Sequence, residues 1–224
     1  QNISREENIP IGLIEVAVGG SPIESWIDRY TLEHDDKVVD VLTNWRKSDF
    51  IMPWVRSRAD ENLKNAVNSK QRHPYAPSYN YEAGVAQFTE FPIKGFLWYQ
   101  GESNAHNIEL YEHLMPVMVQ SWRKAWRASL PFYYVQLSSI DRPSWPSFRD
   151  MQNRIQKEIP NSGMAVSMDF GDSTNVHPIR KKQIGDRLAL LALKYTYGKN
   201  IIAEGPAVLK AIQKGDVILI SFSN

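Results

Sequence analysis

A cluster of polar residues, Gln100, Glu102, Ser103 and Asn104, directly follows an apolar run at residues 95–99. Such a run is typical of a buried strand, and open α/β sheets place their ligands in the loops at the carboxyl ends of parallel strands. Amide, carboxylate and hydroxyl groups at that position are suited to holding a substrate and to proton transfer. The alternative is a helix start in which Ser103 or Asn104 is only an N-cap.

Two further segments have the same form. The apolar run at residues 11–18 leads into a pair of glycines, which would allow backbone N–H groups to approach a ligand. After another apolar run at residues 164–168, a loop carries Asp172 and then His177. A histidine beside a carboxylate is the usual arrangement of a general base. The three segments together predict a site for acid–base or nucleophilic chemistry.

The elements that would position these segments alternate along the chain. Apolar runs of strand length alternate with segments in which apolar residues recur at helical spacing, an order typical of a parallel sheet covered by helices on both faces. The predicted strands are 11–18, 95–99, 132–137 and 164–168, and the predicted helices are 58–69, 108–127, 148–158 and 180–197. We assign residues 1–200 to this α/β domain. Residues 201–224 predict a β-hairpin at which an accessory β domain could begin.

Four stretches resemble bacterial sialate O-acetylesterases: IPIGLIEVAVGGSPIESW, PIKGFLWYQGESN, GDSTNVHP and GDRLALLAL. These esterases belong to the SGNH hydrolase group, which also includes acetylxylan esterases. The resemblance implies a three-layer α/β/α, flavodoxin-like parallel sheet. It also implies removal of acetyl groups from sialic acid or related acetylated sugars through a serine nucleophile, a histidine base and an acidic partner, with no cofactor or metal. A periplasmic or secreted location is implied as well.

The nucleophile block of the family has no counterpart in this sequence. The family carries its serine in a Gly-Gln-Ser-Asn block, after a first strand that lies upstream of the segment similar to residues 11–18. Neither Ser21 nor Ser103 matches that block. We therefore expect a fragment that lacks the first strand, and an upstream segment of the same protein as the partner that supplies the serine. The chain alone is expected to be inactive, and its sheet to show either a bound upstream segment or an altered strand order.

The resemblance also assigns catalytic roles. His177 matches the general base, and its acidic partner is Glu102 or Asp172, because Thr174 occupies the position where many SGNH hydrolases carry an aspartate. Helix capping or loop bracing is the ordinary alternative for either carboxylate. The predicted oxyanion hole consists of the backbone N–H groups of Gly19 or Gly20 and the side-chain amide of Gln100.

Candidate sugar contacts rest on residue type. Arg142 and Trp145 lie in a proline-containing loop after the predicted strand 132–137, where arginine could pair with a sugar carboxylate. Trp26 and Asn104 are the further candidates. Core packing is the more ordinary role for both tryptophans, and bracing of the loop is an alternative for Asn104.

Composition and spacing narrow the remaining choices. The 26 Lys and Arg residues nearly balance the 25 Asp and Glu residues, which favours neither a nucleic-acid partner nor a membrane surface. The absence of cysteine excludes disulfides and thiolate chemistry. Two rival functions stay open: a noncatalytic carbohydrate-binding relic of the same fold, and a metal-dependent hydrolase built on His106, Glu109 and His113.

Overall fold

Strands β1 (Phe96–Trp98), β2 (Phe132–Val135) and β3 (Ser162–Ala165) form a parallel sheet in the order β1-β2-β3. This is seen in a computed structural model, which describes residues 1–68 and 70–223. The α-helices are α1 (Asn2–Glu7), α2 (Arg29–Glu33), α3 (Val39–Asn44), α4 (Pro53–Leu63), α5 (Tyr79–Ala83), α6 (Ile108–Trp126), α7 (Trp145–Ile155) and α8 (Lys181–Tyr195). Short 3₁₀ helices span Ile23–Trp26, Trp45–Lys47, Val85–Phe88 and Met168–Phe170. A helix thus follows each strand of the sheet, as the sequence predicts.

Helices cover both faces of this sheet. On one face, aromatic side chains of β1 and β2 pack with α6 and α7; the Phe96 and Trp98 rings lie 5.1 Å and 5.6 Å from the Trp122 ring of α6. On the other face, Tyr133 and Ala165 pack against α8. The predicted three-layer α/β/α architecture with a parallel sheet is therefore confirmed.

Two helices begin earlier than predicted, because proline favours the first helical turn. Helix α7 begins at Trp145, with proline in its first turn, so Trp145 belongs to a helix rather than to a loop. Helix α4 begins at Pro53 and ends at Leu63, and the last residue of the predicted helix, Ser69, lies outside the described residues. Helix α6 begins where the Asn107 side chain accepts a hydrogen bond from a backbone N–H group of the first turn.

The strand predictions need corrections at their carboxyl ends. Strand β2 stops at Val135 because the N–H group of Leu137 donates to the side-chain oxygen of Gln152, at 2.9 Å, instead of to a strand. Strand β3 ends at Ala165, and the chain then turns into the 3₁₀ helix that begins at Met168. Both strands are therefore shorter at the edge where the candidate site lies.

The prediction of a buried strand at residues 11–18 is wrong. In the part of the chain that the structure describes, these residues pair with no strand, and β1 pairs with β2 alone. Leu13 is 83% exposed, while Val16 and Val18 pack against the core. An apolar run shows that residues favour burial, but a strand also needs a hydrogen-bonding partner, which the run itself does not specify.

Strands β4 (Val208–Lys214) and β5 (Val217–Phe222) form the predicted hairpin, which is antiparallel. Gly215 has a φ of 59° in its turn, and the residues of both strands are exposed. The division at residue 200 stays a prediction, and Asn224 lies outside the described residues. None of the helices in the described ranges has the length and apolar character needed to cross a membrane.

Candidate active site

The glycine turn after residue 18 lies beside the carboxyl end of β1. Gly20 has a φ of 75°, and a Cβ atom there would lie 2.6 Å from the Tyr75 hydroxyl oxygen, so this turn requires glycine. The Tyr75 hydroxyl donates to the Gly19 carbonyl at 2.9 Å. Among the described residues, neither glycine N–H group donates to another group. The turn thus leaves two backbone donors available, as an oxyanion hole requires.

Direct hydrogen bonds join this turn to the loop after β1. The Ser103 hydroxyl donates to the Gly20 carbonyl at 2.8 Å, and the Gln100 amide donates to the Ser21 carbonyl at 3.0 Å. Asn104 is 2% exposed, and its side-chain oxygen accepts from the Ile23 N–H group at 2.9 Å. The structure therefore brings together two of the three segments that the sequence marks as candidates.

Gln100 is held in one orientation by its amide nitrogen. Nε2 donates to the Ser21 carbonyl and, at 2.8 Å, to the side-chain oxygen of Asn104, so both of its hydrogens are engaged. Its Oε1 atom is buried and has no hydrogen-bond partner among the described residues. Donation by Gln100 to an oxyanion, as predicted, would require one of these bonds to open; the atom available for a new contact is an acceptor.

Glu24 completes the same network from the 3₁₀ helix Ile23–Trp26. The Nδ2 atom of Asn104 donates to both of its carboxylate oxygens, at 3.3 Å and 3.0 Å. Glu24 is 1% exposed, and burial raises its pKa to about 7, although the hydrogen bonds from its own backbone and from Asn104 favour the charged form. A carboxyl group that titrates near neutrality thus lies directly behind the candidate site.

Glu102, in the loop after β1, lies within electrostatic reach of Lys181 and His177. Burial raises its pKa, whereas its own backbone N–H group and the nearby Lys181 and His177 lower it. Lys181 lies in the first turn of α8, with its Nζ atom 4.3 Å from the centre of the Tyr99 ring. Burial, together with the charge of Glu102, raises the pKa of Tyr99 to about 12. The structure therefore places Glu102 within electrostatic reach of the predicted base.

The loop that carries His177 is exposed and is attached to the loop after β2. The Asp172 N–H group donates to the Ser139 carbonyl at 3.2 Å, and the Asp141 N–H group donates to the Ser173 carbonyl at 2.9 Å. The His177 N–H group donates to the Asn175 side chain at 2.9 Å. In the described residues, no hydroxyl group forms a hydrogen bond with the His177 imidazole. The imidazole is thus open to a group from outside these loops.

The carboxylate of Asp172 is engaged within its own loop. Its Oδ1 atom accepts from the N–H and hydroxyl groups of Thr174, at 2.8 Å and 2.7 Å, and from the N–H group of Asn175 at 3.1 Å. These bonds lower the pKa of Asp172. The arrangement braces the loop and leaves Glu102 as the candidate carboxylate that is not engaged within the histidine loop and lies within electrostatic reach of His177.

The predicted sugar contacts differ in their accessibility. Trp26 is 4% exposed and donates through its indole N–H group to Ser21 Oγ at 2.9 Å. Trp145 is 3% exposed and donates to the Ser138 carbonyl at 2.8 Å. Asn104 is buried in the network described above. Arg142 is exposed, with its guanidinium group 5.1 Å from the centre of the Trp145 ring. Of the four residues, only Arg142 presents its side chain at the surface.

The residues of the rival metal hypothesis do not share a helical face. His106 precedes α6, which begins at Ile108, and the His113 Nε2 atom lies 2.6 Å from the carboxylate of Asp35. Within residues 1–68 and 70–223, no group of three His, Cys, Asp or Glu side chains is arranged to hold a metal ion.

The site also contains two residues that sequence reasoning did not select, Glu24 and Lys181. Both lie within or next to the family-like stretches, but sequence spacing does not show which charged side chains are buried.

The comparisons with known proteins agree with this fold. Residues 61–194 match the family model for carbohydrate esterases described as sialic acid-specific acetylesterases. The chain is 29% identical to the sialate O-acetylesterase of Rattus norvegicus and 30% identical to that of Homo sapiens, over 88% of the chain in each case. These matches cover 42% and 38% of the two relatives, so the chain spans less than half the length of each.

A solved structure extends the likeness to nearly the whole chain. The crystal structure of a carbohydrate acetylesterase from Xanthomonas citri superposes with a TM-score of 0.74 and 26% sequence identity, over 99% of this chain and 45% of that one. The fold is thus an α/β/α architecture shared with a carbohydrate acetylesterase. With the family model covering more than half of its residues, the chain belongs to the sialic acid-specific acetylesterase family of carbohydrate esterases. The resemblance to sialate O-acetylesterases found in the sequence is confirmed at the level of the family.

Proposed function

We propose that the protein is a carbohydrate O-acetylesterase that removes acetyl groups from sialic acid or a related acetylated sugar. One observation carries the proposal: the half-buried Glu102 lies within electrostatic reach of His177, at a sheet edge where the Gly19–Gly20 turn leaves its N–H groups available. A carboxylate, a histidine and preorganised backbone donors are the parts that acyl transfer needs besides a nucleophile. The names of the relatives supply the substrate class.

In the proposed mechanism, His177 accepts the proton of a serine hydroxyl as the serine attacks the acetyl carbonyl. Glu102 orients the imidazole and stabilises its positive charge, a role for which the engaged carboxylate of Asp172 is less suited. Backbone N–H groups of the glycine turn stabilise the developing oxyanion. His177 then returns the proton to the departing sugar hydroxyl, and water hydrolyses the acetyl-enzyme in a second, equivalent step.

We propose that the serine comes from a further segment of the same protein, which is the partner of this chain. The edge of β1 away from β2 has no strand partner among the described residues, and Leu97, in the middle of β1, is 56% exposed. Ile11, Leu13 and Ile14 are exposed as well. A strand that pairs with β1 would satisfy these backbone groups and would end at the same edge as Glu102. The acetylated sugar is the other proposed partner, with neither nucleic acid nor a membrane required.

We propose that the protein is periplasmic or secreted, as its resemblance to sialate O-acetylesterases implies. Cell fractionation with an antibody against the chain tests this proposal. Recovery with the cytoplasmic fraction would contradict it.

Activity measurements on the protein with the serine segment test the catalytic proposal. His177→Ala is expected to lower kcat by about 10⁴-fold, as loss of a triad member does. Glu102→Gln should lower it more than Asp172→Asn, and His34→Ala, which changes an exposed histidine at the C-terminal end of α2, should leave it unchanged. Comparison of acetylated sialic acid with acetylated xylan then identifies the preferred sugar. Sugar binding without hydrolysis would contradict the proposal.

The chain of 224 residues provides a second test. We expect it to hydrolyse an aryl acetate no faster than its own His177→Ala variant, because no hydroxyl of the described residues is bonded to the imidazole. Turnover that depends on His177 in this chain alone would contradict the proposal that the serine lies elsewhere.

A further inference from the structure

Glu24 is a buried carboxyl group that the proposed mechanism does not use. It lies in the 3₁₀ helix Ile23–Trp26, is 1% exposed, and forms no ion pair with any described residue. Tyr111 of α6 lies within electrostatic reach of it: burial, and then the charges of Glu102 and Glu24, raise the pKa of Tyr111. A carboxylate without a countercharge in such a position opposes folding, because burial disfavours its charged form. The burial of Glu24 and its hydrogen bonds therefore need an explanation other than the stability of the folded protein.

Those contacts lead in two steps to the candidate active site. The carboxylate accepts from Asn104 Nδ2 through both oxygens, at 3.3 Å and 3.0 Å. Asn104 in turn accepts, through its single side-chain oxygen, the Ile23 N–H group at 2.9 Å and the Gln100 amide at 2.8 Å. If Asn104 were not held by Glu24, its amide could rotate, and Gln100 would lose the acceptor that fixes one of its two hydrogens.

We propose that Glu24 is a positioning residue, which fixes Asn104 and through it the side chain of Gln100 at the edge of the candidate active site. The inference rests on the proposed function for its effect on catalysis, but the hydrogen-bonded chain itself does not depend on that function. The buried Oε1 atom of Gln100, which has no hydrogen-bond partner among the described residues, is the acceptor that these hydrogen bonds leave available. Its acceptor lone pairs fit a substrate hydroxyl or an N–H group of the serine-bearing segment.

The ionised carboxylate is the form expected to position Asn104 best. Two charged oxygens accept from Nδ2, and charge-assisted hydrogen bonds are stronger than neutral ones. In the protonated acid, one oxygen carries a hydrogen and becomes a donor, and neither oxygen carries the charge that strengthens the bonds from Asn104. The orientation of the two amides should therefore respond to the ionisation of Glu24.

Nuclear magnetic resonance of the wild-type protein tests this coupling without any variant that must fold. Glutamate labelled with ¹³C at the carboxyl carbon reports the titration of Glu24, and ¹⁵N labelling reports the side-chain amides of Asn104 and Gln100. We expect all three signals to change with one midpoint, near pH 7. In Glu24→Gln, the two amide signals should no longer titrate. Amide signals that stay constant while the Glu24 carboxyl group titrates would overturn the proposal.

Kinetics of the protein with the serine segment then separate positioning from simple structural support. Glu24→Ala should lower kcat by about 10²-fold, as small displacements of catalytic groups do, with little change in KM. Glu24→Gln keeps an acceptor for Asn104 and should restore most of the activity, while Glu90→Gln, at an exposed glutamate, serves as the control. A folded Glu24→Ala variant with wild-type kcat would overturn the proposal. A wild-type protein without esterase activity would instead contradict the proposed function and leave the coupling to be judged by the amide signals.

Discussion

The buried carboxyl group of Glu24 predicts an unusual dependence of stability on pH. In the unfolded chain the group has an ordinary pKa of 4.5, whereas burial raises the pKa in the folded protein to about 7. Between these two values the folded protein holds a proton that the unfolded chain has released. The unfolded state therefore binds fewer protons than the folded state, and the free energy of unfolding falls as the pH rises through this window.

The size of the effect follows from the separation of the two pKa values. Each pH unit between them corresponds to about 1.4 kcal/mol, so Glu24 should lower the free energy of unfolding by about 3 kcal/mol between pH 4.5 and pH 8. Glu24→Gln has no proton to release and should lack this loss. Other carboxyl groups titrate in both proteins, so the difference between wild type and variant isolates Glu24.

Urea unfolding near the two ends of that pH range measures the difference directly. The free energy of unfolding of the wild type, minus that of Glu24→Gln, should be about 3 kcal/mol lower at the high pH than at the low pH. Glu90→Gln removes an exposed carboxyl group and should keep the wild-type dependence. If Glu24→Gln loses as much stability as the wild type over the same range, Glu24 does not have the raised pKa, and the reasoning is refuted.

Three further substitutions test how the loops are held. Gly171→Ala would place a Cβ atom 2.3 Å from the Ser139 backbone nitrogen, so the loop of the predicted base should shift, and kcat for an acetyl ester should fall by about 10²-fold. Gly101→Ala, at a φ of 152° and 2.8 Å from the Phe148 ring, should lower the free energy of unfolding in urea by about 1–3 kcal/mol. Trp26→Phe removes a buried indole hydrogen bond and should destabilise by about 1–3 kcal/mol while leaving KM for the sugar unchanged. A raised KM with unchanged stability would show that Trp26 contacts substrate.

Sequence patterns predict the sheet and its helices because the relevant signals are local. The run at residues 95–99 predicts β1, and the polar cluster that follows it does lie at the carboxyl edge of the sheet. The run at residues 11–18 is equally apolar but forms no strand in the described residues, because pairing depends on a neighbour elsewhere in the chain. The prolines around Trp145 suggest a stiff loop, but the proline that follows Trp145 lies in the first turn of α7, so Trp145 begins a helix.

The interior of the candidate site could not be predicted in the same way. Glu24 occurs in a stretch that reads as a glycine turn and a helix start, where an acidic residue is ordinary and usually exposed. Its burial depends on Asn104, eighty residues further along the chain. Asn104 and Gln100 were selected by type as substrate and oxyanion groups, but the structure turns their amides toward each other. Amide orientation is set by the partners present in three dimensions, which residue type does not identify.

The polar residues of the loop after β1 divide into two groups. Ser103 and Asn104 belong to a buried hydrogen-bond network, which we call the frame, and Glu102 belongs to the proposed catalytic edge. Ser103 and Asn104 are buried and hydrogen-bond the glycine turn and Glu24, while Glu102 lies within electrostatic reach of His177. Among the described residues, Gln100 Oε1 is the atom of this hydrogen-bond network that has no partner. In the proposed mechanism, the catalytic groups at this edge require only a nucleophile in addition. If a serine-bearing strand pairs with β1, it meets a frame that is already ordered, so its binding should order little besides itself. Burying Glu24 lowers the stability of the fold, but it holds the amides of Asn104 and Gln100 in place before any strand binds. Apolar side chains at the same positions would fold more favourably, but they could not orient an amide.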